Sequence, residues 1–315
     1  MDSSGRCRPH RRAVRNARCA PMPVVPVMEN NMQSMEKVEA QAGQWPRVAS
    51  VWKQLGPPLR PSQEDLAHFR RALSGWCARH AGKDPRGLIL GVTPELYHLP
   101  WPDRSRLMAA DRTPEMVAHV WPGDAANVQL ADWRELALPQ ASLDIVMCDG
   151  GLHLLDYPAG QARLFEGLSR LLAPGGLFVI RLFVPPPVRE TPQQVQAALL
   201  AGEIPDLNCL KLRLGMALQQ DAAEGVALGT VWRTLRQVSQ DWAELAERLG
   251  WPLAHLQVID AYRDSAARYH FVTVEEAVAL AAGNGFELQE IDTPSYRMGG
   301  QCPTLAFRRL DARTA

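Results

Sequence analysis

Short runs of apolar residues alternate with helical patterns through the middle of the chain, and this alternation restricts the fold more than any other feature. A continuous apolar run a few residues long is typical of a strand buried on both faces of a sheet. Strands that alternate with helices predict an α/β fold with a doubly wound, mostly parallel sheet. The clearest intervening helix spans residues 159–172. The runs that predict the first five strands are residues 87–92, 106–111, 127–132, 143–149 and 177–184.

The C-terminal part predicts two more strands and the direction of the last one. Thr273 and Glu276 form a capping-box pattern that begins a helix, which Gly283-Asn284-Gly285 ends. Residues 286–291 and 304–309 then read as strands, joined by a loop that contains residues 292–302. Because no crossover helix separates these strands, they must be antiparallel. The expected sheet therefore has seven strands, the last of them antiparallel.

Helical segments precede this sheet and interrupt it. Pro46 suits a first helical position, and Ser62 with Asp65 predicts the start of a second helix. A helix-rich insertion follows the fifth strand, and its clearest predicted element is one helix closed by Gly250, with an apolar stripe of Val231, Leu235, Val238, Trp242, Leu245 and Leu249. The predicted division is a helical cap over residues 46–85, a sheet core over 86–184, the insertion over 185–270 and the end of the sheet over 271–315.

Residues 1–45 have the composition of an extension without a packed fold. The first twenty residues contain six arginines and one acidic residue, and an apolar patch interrupted by prolines follows over residues 21–27. That patch is too short and too rich in proline for a secretory signal. We expect a disordered extension, or translation that starts downstream at Met28, Met32 or Met35. A basic arm that touches nucleic acid or lipid is the alternative.

Composition excludes several classes of protein. No apolar run approaches the roughly 18–20 residues that span a bilayer, so no membrane protein is expected. The formal net charge is zero, which argues against a dedicated nucleic-acid binder. The six cysteines form no CxxC pair or metal-ligand spacing, so we expect free thiols in a reducing, cytoplasmic compartment and no metal. A homodimer is compatible with the sequence, which does not decide the oligomeric state.

Candidate ligand-binding residues follow the predicted strands, because ligands of an open parallel sheet bind beyond the carboxyl ends of its strands. Gly91 ends the first strand, and Asp111 ends the second, twenty residues later. That interval matches the acidic residue that binds ribose hydroxyls, but Asp111 could equally cap the turn that follows it. Asp132 with Trp133 ends the third strand, where the acid could accept an adenine amino proton or simply be solvated.

The fourth and fifth strands supply candidates for contact with a substrate. Asp149 stands beside two glycines at the end of the fourth strand, and His153 follows within reach of a first helical turn. The ordinary pKa of histidine, about 6.5, suits a general base, although a lone histidine in a turn is more often a packing or capping residue. Arg181 lies near the end of the fifth strand and could instead form an ion pair at a helix end. Tyr296 and Arg297 lie in the last hairpin, which should emerge on the same side.

These features together resemble class I S-adenosylmethionine-dependent methyltransferases, which have a Rossmann-like fold. The resemblance covers residues 86–184 and 273–311 and includes a single-glycine loop where the family usually has two or three glycines. It implies S-adenosylmethionine as cofactor, Gly91 as a contact of its methionine part, and Asp111 as the ribose ligand. Asp132 and Trp133 become the adenine contacts, and Thr93 and Asp149 complete the expected cofactor site. The motifs that carry the resemblance are Gly91, Asp111, Asp132-Trp133, the strand 143–149, Leu171-Leu172-Ala173-Pro174-Gly175-Gly176 and Gly285-Phe286-Glu287-Leu288.

The resemblance implies an enzyme that methylates a small molecule by in-line transfer, with the insertion as a lid over the substrate. Such a transfer needs positioning and exclusion of water more than a nucleophilic side chain. The sequence lacks the Asn/Asp-Pro-Pro-Tyr and Pro-Cys motifs that nucleobase methylation would require after the fourth strand. One alternative is an inactive methyltransferase-like protein that binds or regulates a partner, which the single-glycine loop favours. An NAD-dependent dehydrogenase is a weaker alternative, because the Gly-x-Gly-x-x-Gly turn is missing.

Overall fold

The computed structural model describes Met1, residues 45–50 and residues 52–311, and its centre is a seven-stranded sheet. Apart from Met1 and Trp45, the expected disordered extension lies outside the described residues. All described residues from Trp45 onward belong to one compact unit. The strands of the main sheet are β1 (Gly87–Leu90), β2 (Leu107–Asp111), β3 (Val128–Leu130), β4 (Leu143–Asp149), β5 (Leu172–Arg181), β8 (Phe286–Asp292) and β9 (Thr304–Arg309); β6 (Val226–Ala227) and β7 (Arg268–Tyr269) form a separate pair.

The strand order β3-β2-β1-β4-β5-β9-β8 is that of a doubly wound sheet. Strands β1 to β5 pair in parallel, whereas β9 is antiparallel to both β5 and β8. The predicted fold class and the antiparallel last pair are therefore confirmed. The chain leaves β1 towards β2 and β3 and then returns to β4, so the strand order reverses between β1 and β4. A ligand cleft is expected at such a reversal point.

Helices cover both faces of the sheet because its strands alternate their side chains. Leu88 and Leu90 pack on one face with the helix Ala159–Leu171, while Ile89 packs on the other with the helix Gln63–Arg79. The remaining α-helices are Trp45–Ser50, Pro94–Tyr97, Pro114–Val120, Pro192–Leu200, Leu207–Leu218, Leu228–Val238, Trp242–Leu249, Leu253–Gln257 and Val274–Gly283. Short 3-10 turns span Trp52–Gln54, Arg104–Arg106, Ala125–Asn127, Trp133–Glu135, Leu152–Leu154, Val258–Tyr262 and Gly299–Gln301. Among the described helices, none has both the length and the apolar character needed to cross a bilayer.

The helix starts agree with their capping patterns, but one predicted helix is wrong. Ser62 with Asp65, and Thr273 with Glu276, each form a complete capping box. The stripe from Val231 to Leu249 was expected on one helix, and it divides into Leu228–Val238 and Trp242–Leu249. Ser239 is extended there, and the Asp241 side chain accepts a hydrogen bond from the Ala243 N–H at 2.7 Å. Local side-chain bonds of this kind compete with helix continuation.

The insertion after β5 has its own apolar core, which is continuous with the edge of the main sheet. Its helices bury side chains such as Leu199, Leu210 and Leu228 around this core. Phe183, just after β5, and Cys302, in the last hairpin, belong to the same cluster. The insertion is therefore packed against the part of the sheet where β5 and β9 meet.

A buried ion cluster around Arg181 joins four separate segments of the chain. The Arg181 guanidinium, at the end of β5, donates from Nε and Nη2 to the two carboxylate oxygens of Asp149 at 2.6 and 3.2 Å. Its Nη1 lies 3.7 Å from Asp65 Oδ2, and both side chains are fully buried. The Tyr296 hydroxyl donates to Asp65 at 3.0 Å and accepts from Arg181 Nη1 at 3.3 Å. Because buried charges need partners, this cluster fixes the helix Gln63–Arg79 and the last hairpin against the sheet edge.

We predict that Arg181→Met lowers the free energy of unfolding by about 3–5 kcal/mol, because it leaves two buried carboxylates without their cation. Arg163→Met is the matched control, since Arg163 pairs with Glu135 at 3.1 Å on an exposed surface. Loss of that pair should cost less than about 1 kcal/mol. Urea unfolding measures both. Similar small losses in the two variants would contradict the structural role assigned to the Arg181 cluster.

Candidate functional site

A cleft of about 1130 Å³, including its open mouth, lies at the carboxyl ends of β1, β2 and β4. Three parts of the chain form its walls: the sheet edge, the N-terminal helices and the insertion. The sheet edge contributes Leu90, Gly91, Val92, Thr93, Asp111, Arg112, Thr113, Ala131, Asp132, Trp133, Asp149, Gly150, Gly151 and His153. The N-terminal helices contribute Trp45, Val48, Trp52, Leu55 and Leu59, and the insertion contributes Lys211, Tyr262 and Tyr269.

The loop after β1 is shaped by Gly91 and covered by Trp133. Gly91 has φ +88°, a left-handed conformation that glycine adopts without strain. Its N–H donates to the Ala110 carbonyl at 2.8 Å, and the Trp133 indole Nε1 donates to the same oxygen at 2.7 Å. A Cβ on Gly91 would lie 3.6 Å from the Trp133 ring. The indole is therefore held beside the Gly91 backbone, and the next buried polar side chain on this loop is Thr93.

Asp111 is a buried carboxylate at the end of β2 and lines the cleft. Its Oδ1 accepts a hydrogen bond from the Thr113 N–H at 2.8 Å, so the turn-capping contact that the sequence left open is present. Burial raises the pKa of Asp111 to about 6, and the hydrogen bonds from Thr113 only partly oppose this shift. Because Asp111 also faces the cleft, the capping contact and a ligand contact are compatible.

The carboxylate of Asp132 is held by Arg134. Its Oδ1 accepts from the Arg134 N–H and Nε at 2.9 and 2.8 Å, and its Oδ2 accepts from Nη2 at 2.7 Å. Burial acts to raise the pKa of Asp132, but the hydrogen bonds from Arg134 outweigh it and hold the pKa below its usual range. Any ligand at Asp132 therefore meets a carboxylate that is already paired.

The structure separates the candidate substrate residues into two groups. Asp149 and His153 line the cleft. Arg181 and Tyr296 are instead joined to Asp149 and Asp65 in the buried cluster, and Arg297 is exposed on the hairpin. None of these last three is among the described residues that line the cleft.

His153 is buried in an aromatic environment. Its ring stacks on Phe271, with centroids 5.4 Å apart, and meets the edge of Tyr269 at 4.5 Å. Its Nδ1 is buried and has no hydrogen-bond partner within the described part of the chain. Burial lowers the pKa of His153 to about 3, so the imidazole is neutral at physiological pH.

Sequence reasoning missed the cleft residues that come from the insertion, above all Lys211. This residue lies in the helix Leu207–Leu218, is 6% exposed, and places its Nζ 5.4 Å from the ring centroid of Tyr262. Burial lowers the pKa of the Lys211 ammonium to about 8. The sequence does carry a signal for it, because Lys211 is a charged residue directly between Leu210 and Leu212 in a leucine-rich helix.

The comparisons with known proteins agree with this geometry. Residues 88–180 match the family model described as a methyltransferase domain. The match covers the strands that form the cleft, from β1 to β5. Residues 88–180 form a methyltransferase domain. The expected family is thus confirmed, and S-adenosylmethionine is the cofactor of this class, as predicted. No curated protein matches the chain.

Solved structures resemble this methyltransferase fold at low sequence identity. A putative Zn-dependent alcohol dehydrogenase from Rhodobacter sphaeroides is 13% identical, covers 86% of this chain and 98% of its own, and has a TM-score of 0.55. This likeness concerns the fold alone. The CcbJ methyltransferase from Streptomyces caelestis is 14% identical over 86% of this chain and 99% of its own, with a TM-score of 0.48. The N-methyltransferase NodS from Bradyrhizobium japonicum WM9, in complex with S-adenosyl-l-homocysteine, is 14% identical over 90% and 100%, with a TM-score of 0.43.

We predict that Asp111→Asn becomes more stabilising, relative to the original chain, as pH rises. The pKa of Asp111 is raised in the folded state, so its contribution to stability is present below about pH 3.9 and is lost as pH rises through about 6. Asparagine does not ionise, so the difference in unfolding free energy should grow by about 1–3 kcal/mol between pH 4 and pH 7. Urea unfolding of the ligand-free protein at a series of pH values measures it. A difference that does not change with pH would contradict the burial of an ionisable carboxylate here.

Proposed function

We propose that the protein transfers a methyl group from S-adenosylmethionine to a small-molecule acceptor bound in the cleft. The observation that carries the proposal is the meeting of Gly91, Asp111 and Trp133 with an apolar, aromatic wall in one cleft of a methyltransferase domain. The acceptor is placed in the space that the N-terminal helices and the insertion enclose, because their side chains form the wall opposite the sheet edge. A cleft of this kind suits a small ligand.

The residues at the sheet edge fit the chemical groups of the cofactor. Gly91 allows close backbone approach for the methionine part, with Thr93 beside it in the same loop. The Asp111 carboxylate can accept hydrogen bonds from ribose hydroxyls while one oxygen keeps the Thr113 contact. Trp133 offers an indole for contact with adenine, and its paired neighbour Asp132 can share an oxygen with the adenine amino group.

When bound, S-adenosylmethionine supplies a methyl group on a positively charged sulfur. In our proposal the protein orients the cofactor and the acceptor and excludes water from the space between them. Phe183, Tyr262 and Tyr269 exclude water from the inner end of the cleft, and Asp149 is kept in place by Arg181. With a pKa of about 3, His153 is a weak base at neutral pH, so we assign it a contact with the acceptor and not proton removal.

A catalytically inactive binding protein is the second candidate. Two observations favour it: the loop after β1 has one glycine, and the Asp132 carboxylate is already occupied by Arg134. The two candidates differ in their response to S-adenosylhomocysteine, the product form of the cofactor. Tight binding supports the enzyme, whereas no binding supports a protein that has lost the cofactor site.

We predict that Asp111→Ala weakens the binding of S-adenosylhomocysteine by about 2–4 kcal/mol, or roughly 30- to 1,000-fold, because two charge-assisted hydrogen bonds to the ribose are lost. Isothermal titration calorimetry measures the affinity. Asp124→Ala is the matched control. Its Oδ1 accepts from the Ala126 N–H at 2.9 Å in the same kind of turn, but on an exposed surface outside the cleft.

Asp124→Ala should lose about 1 kcal/mol of stability from the turn contact. In Asp111→Ala at pH 7, removal of a buried charge offsets that loss, because burial raises the pKa of Asp111 to about 6. Only Asp111→Ala should lose affinity. Unchanged affinity in Asp111→Ala would leave the carboxylate as a turn cap and would remove the main support for the cofactor site.

We also propose that the insertion closes over the bound cofactor. If so, S-adenosylhomocysteine should slow tryptic cleavage after Arg189, an exposed residue in the segment that leads from β5 into the insertion. Cleavage after Arg79, at the end of the helix that precedes β1, is the internal control and should not change. Equal rates of cleavage after Arg189 with and without the ligand would contradict a closing movement.

A further inference from the structure

Lys211 is a buried ammonium on the wall of the cleft. The residue is 6% exposed and lines the cleft, and its Nζ lies 5.4 Å from the centroid of the Tyr262 ring. A cation over an aromatic ring gains some stabilisation, but far less than an ion pair in a dry site. The position is therefore costly unless a further partner is bound.

The acidic residues nearby are engaged elsewhere. Asp149 is paired with Arg181, Asp132 with Arg134, and Asp206 accepts the Cys209 N–H at 2.8 Å as the cap of the Lys211 helix. Within the described residues, no carboxylate forms a salt bridge with Lys211. Asp206 attracts the Lys211 ammonium electrostatically and partly opposes the effect of burial on its pKa, but no salt bridge joins the two side chains.

The Tyr262 ring beside this ammonium belongs to a group of aromatic side chains in the same cleft. Tyr262 and Tyr269 come from the insertion, and the His270 N–H donates to the His153 carbonyl at 2.8 Å, which ties β7 to the turn that carries His153. His153 and Tyr269 then meet edge to face at 4.5 Å. This end of the cleft combines one positive charge with an aromatic wall.

We propose that Lys211 binds a carboxylate of the methyl acceptor, whose flat apolar body packs against Tyr262, Tyr269 and His153. The inference rests on the function proposed above and names the class of substrate. A single ammonium matches a singly charged anion, and an aromatic wall matches a flat apolar body. With a pKa of about 8, Lys211 carries its charge at neutral pH, as an anion-binding group must.

The cofactor also has a carboxylate, on its methionine part, and that group is the alternative partner for the Lys211 ammonium. Its expected contacts, Gly91 and Thr93, lie in the loop after β1, whereas Lys211 belongs to a helix of the insertion and lies beside Tyr262. The acceptor is therefore favoured, and the experiment distinguishes the two sources.

The test compares binding to the original chain, Lys211→Met and the control Lys53→Met, which removes an exposed lysine from the turn Trp52–Gln54. The probes are benzoate, cinnamate and naphthoate, each paired with its uncharged amide and titrated by calorimetry with and without S-adenosylhomocysteine. We expect at least one carboxylate to bind the original chain about 10- to 100-fold more tightly than its amide. Lys211→Met should abolish that preference, and Lys53→Met should retain it.

Two further measurements distinguish the loss of the Lys211 charge from unfolding of the variant. Lys211→Met should not lower the melting temperature, because it replaces a buried charge that has no salt bridge with a described residue by an apolar side chain of similar length. In the original chain, affinity for the carboxylate should fall as pH rises through about 8, because free Lys211 loses its proton. The facing groups do not titrate there, since burial holds the pKa of Tyr262 well above 10 and that of His153 near 3.

The proposal is overturned if no carboxylate is preferred over its amide, or if Lys211→Met retains the preference. It is also overturned if Lys211→Met weakens S-adenosylhomocysteine about tenfold or more but leaves methylthioadenosine, which lacks the amino-acid part, unchanged. That result would assign Lys211 to the cofactor. If S-adenosylhomocysteine fails to bind the original chain, the proposed function fails, while the carboxylate titrations without it still decide the role of Lys211.

Discussion

The burial of one guanidinium sets the position of most of the site. Arg181 has no exposure to solvent, so its charge depends on Asp149 at the end of β4 and on Asp65 in the N-terminal helix. Tyr296 adds the last hairpin to the same group. A buried charge tolerates few arrangements of its partners, because an unpaired ion in a dry interior is far costlier than a paired one. The helix, the sheet edge and the hairpin are therefore held together immediately behind the cleft.

The fold was predictable because its signals are local. Apolar runs indicated the strands, and the absence of a crossover helix gave the direction of β8 relative to β9. Capping boxes at Ser62 and Thr273 also depend on residues three positions apart. The break between Leu228–Val238 and Trp242–Leu249 was missed, since a continuous apolar stripe outweighed the polar Ser239-Gln240-Asp241 segment in the interpretation. Local hydrogen bonds of Ser239 and Asp241 decide that boundary.

The site was predictable only where topology dictates it. Gly91, Asp111 and Asp149 end parallel strands, so any sheet of this order brings them to one edge. Which partners they meet depends on side chains distant in sequence, and the pairing of Arg181 with Asp65 has no local signal. Lys211 and Tyr262 reach the cleft through the packing of the insertion, whose apolar pattern predicts helices but not the face that each helix turns to the sheet.

The two sides of the cleft differ in charge. On the sheet side, the Arg181 cluster contains two carboxylates and one guanidinium, so it carries one excess negative charge when all three groups are ionised. Asp149, the member of that cluster that lines the cleft, has both carboxylate oxygens bonded to Arg181, so the excess charge lies on Asp65, outside the cleft lining. On the insertion side, Lys211 presents a positive charge among aromatic rings. In a space with little water such charges are weakly screened. A ligand with a negative end is therefore favoured near the insertion, whereas the paired Asp149 adds little net charge near β4. An acidic acceptor satisfies this preference.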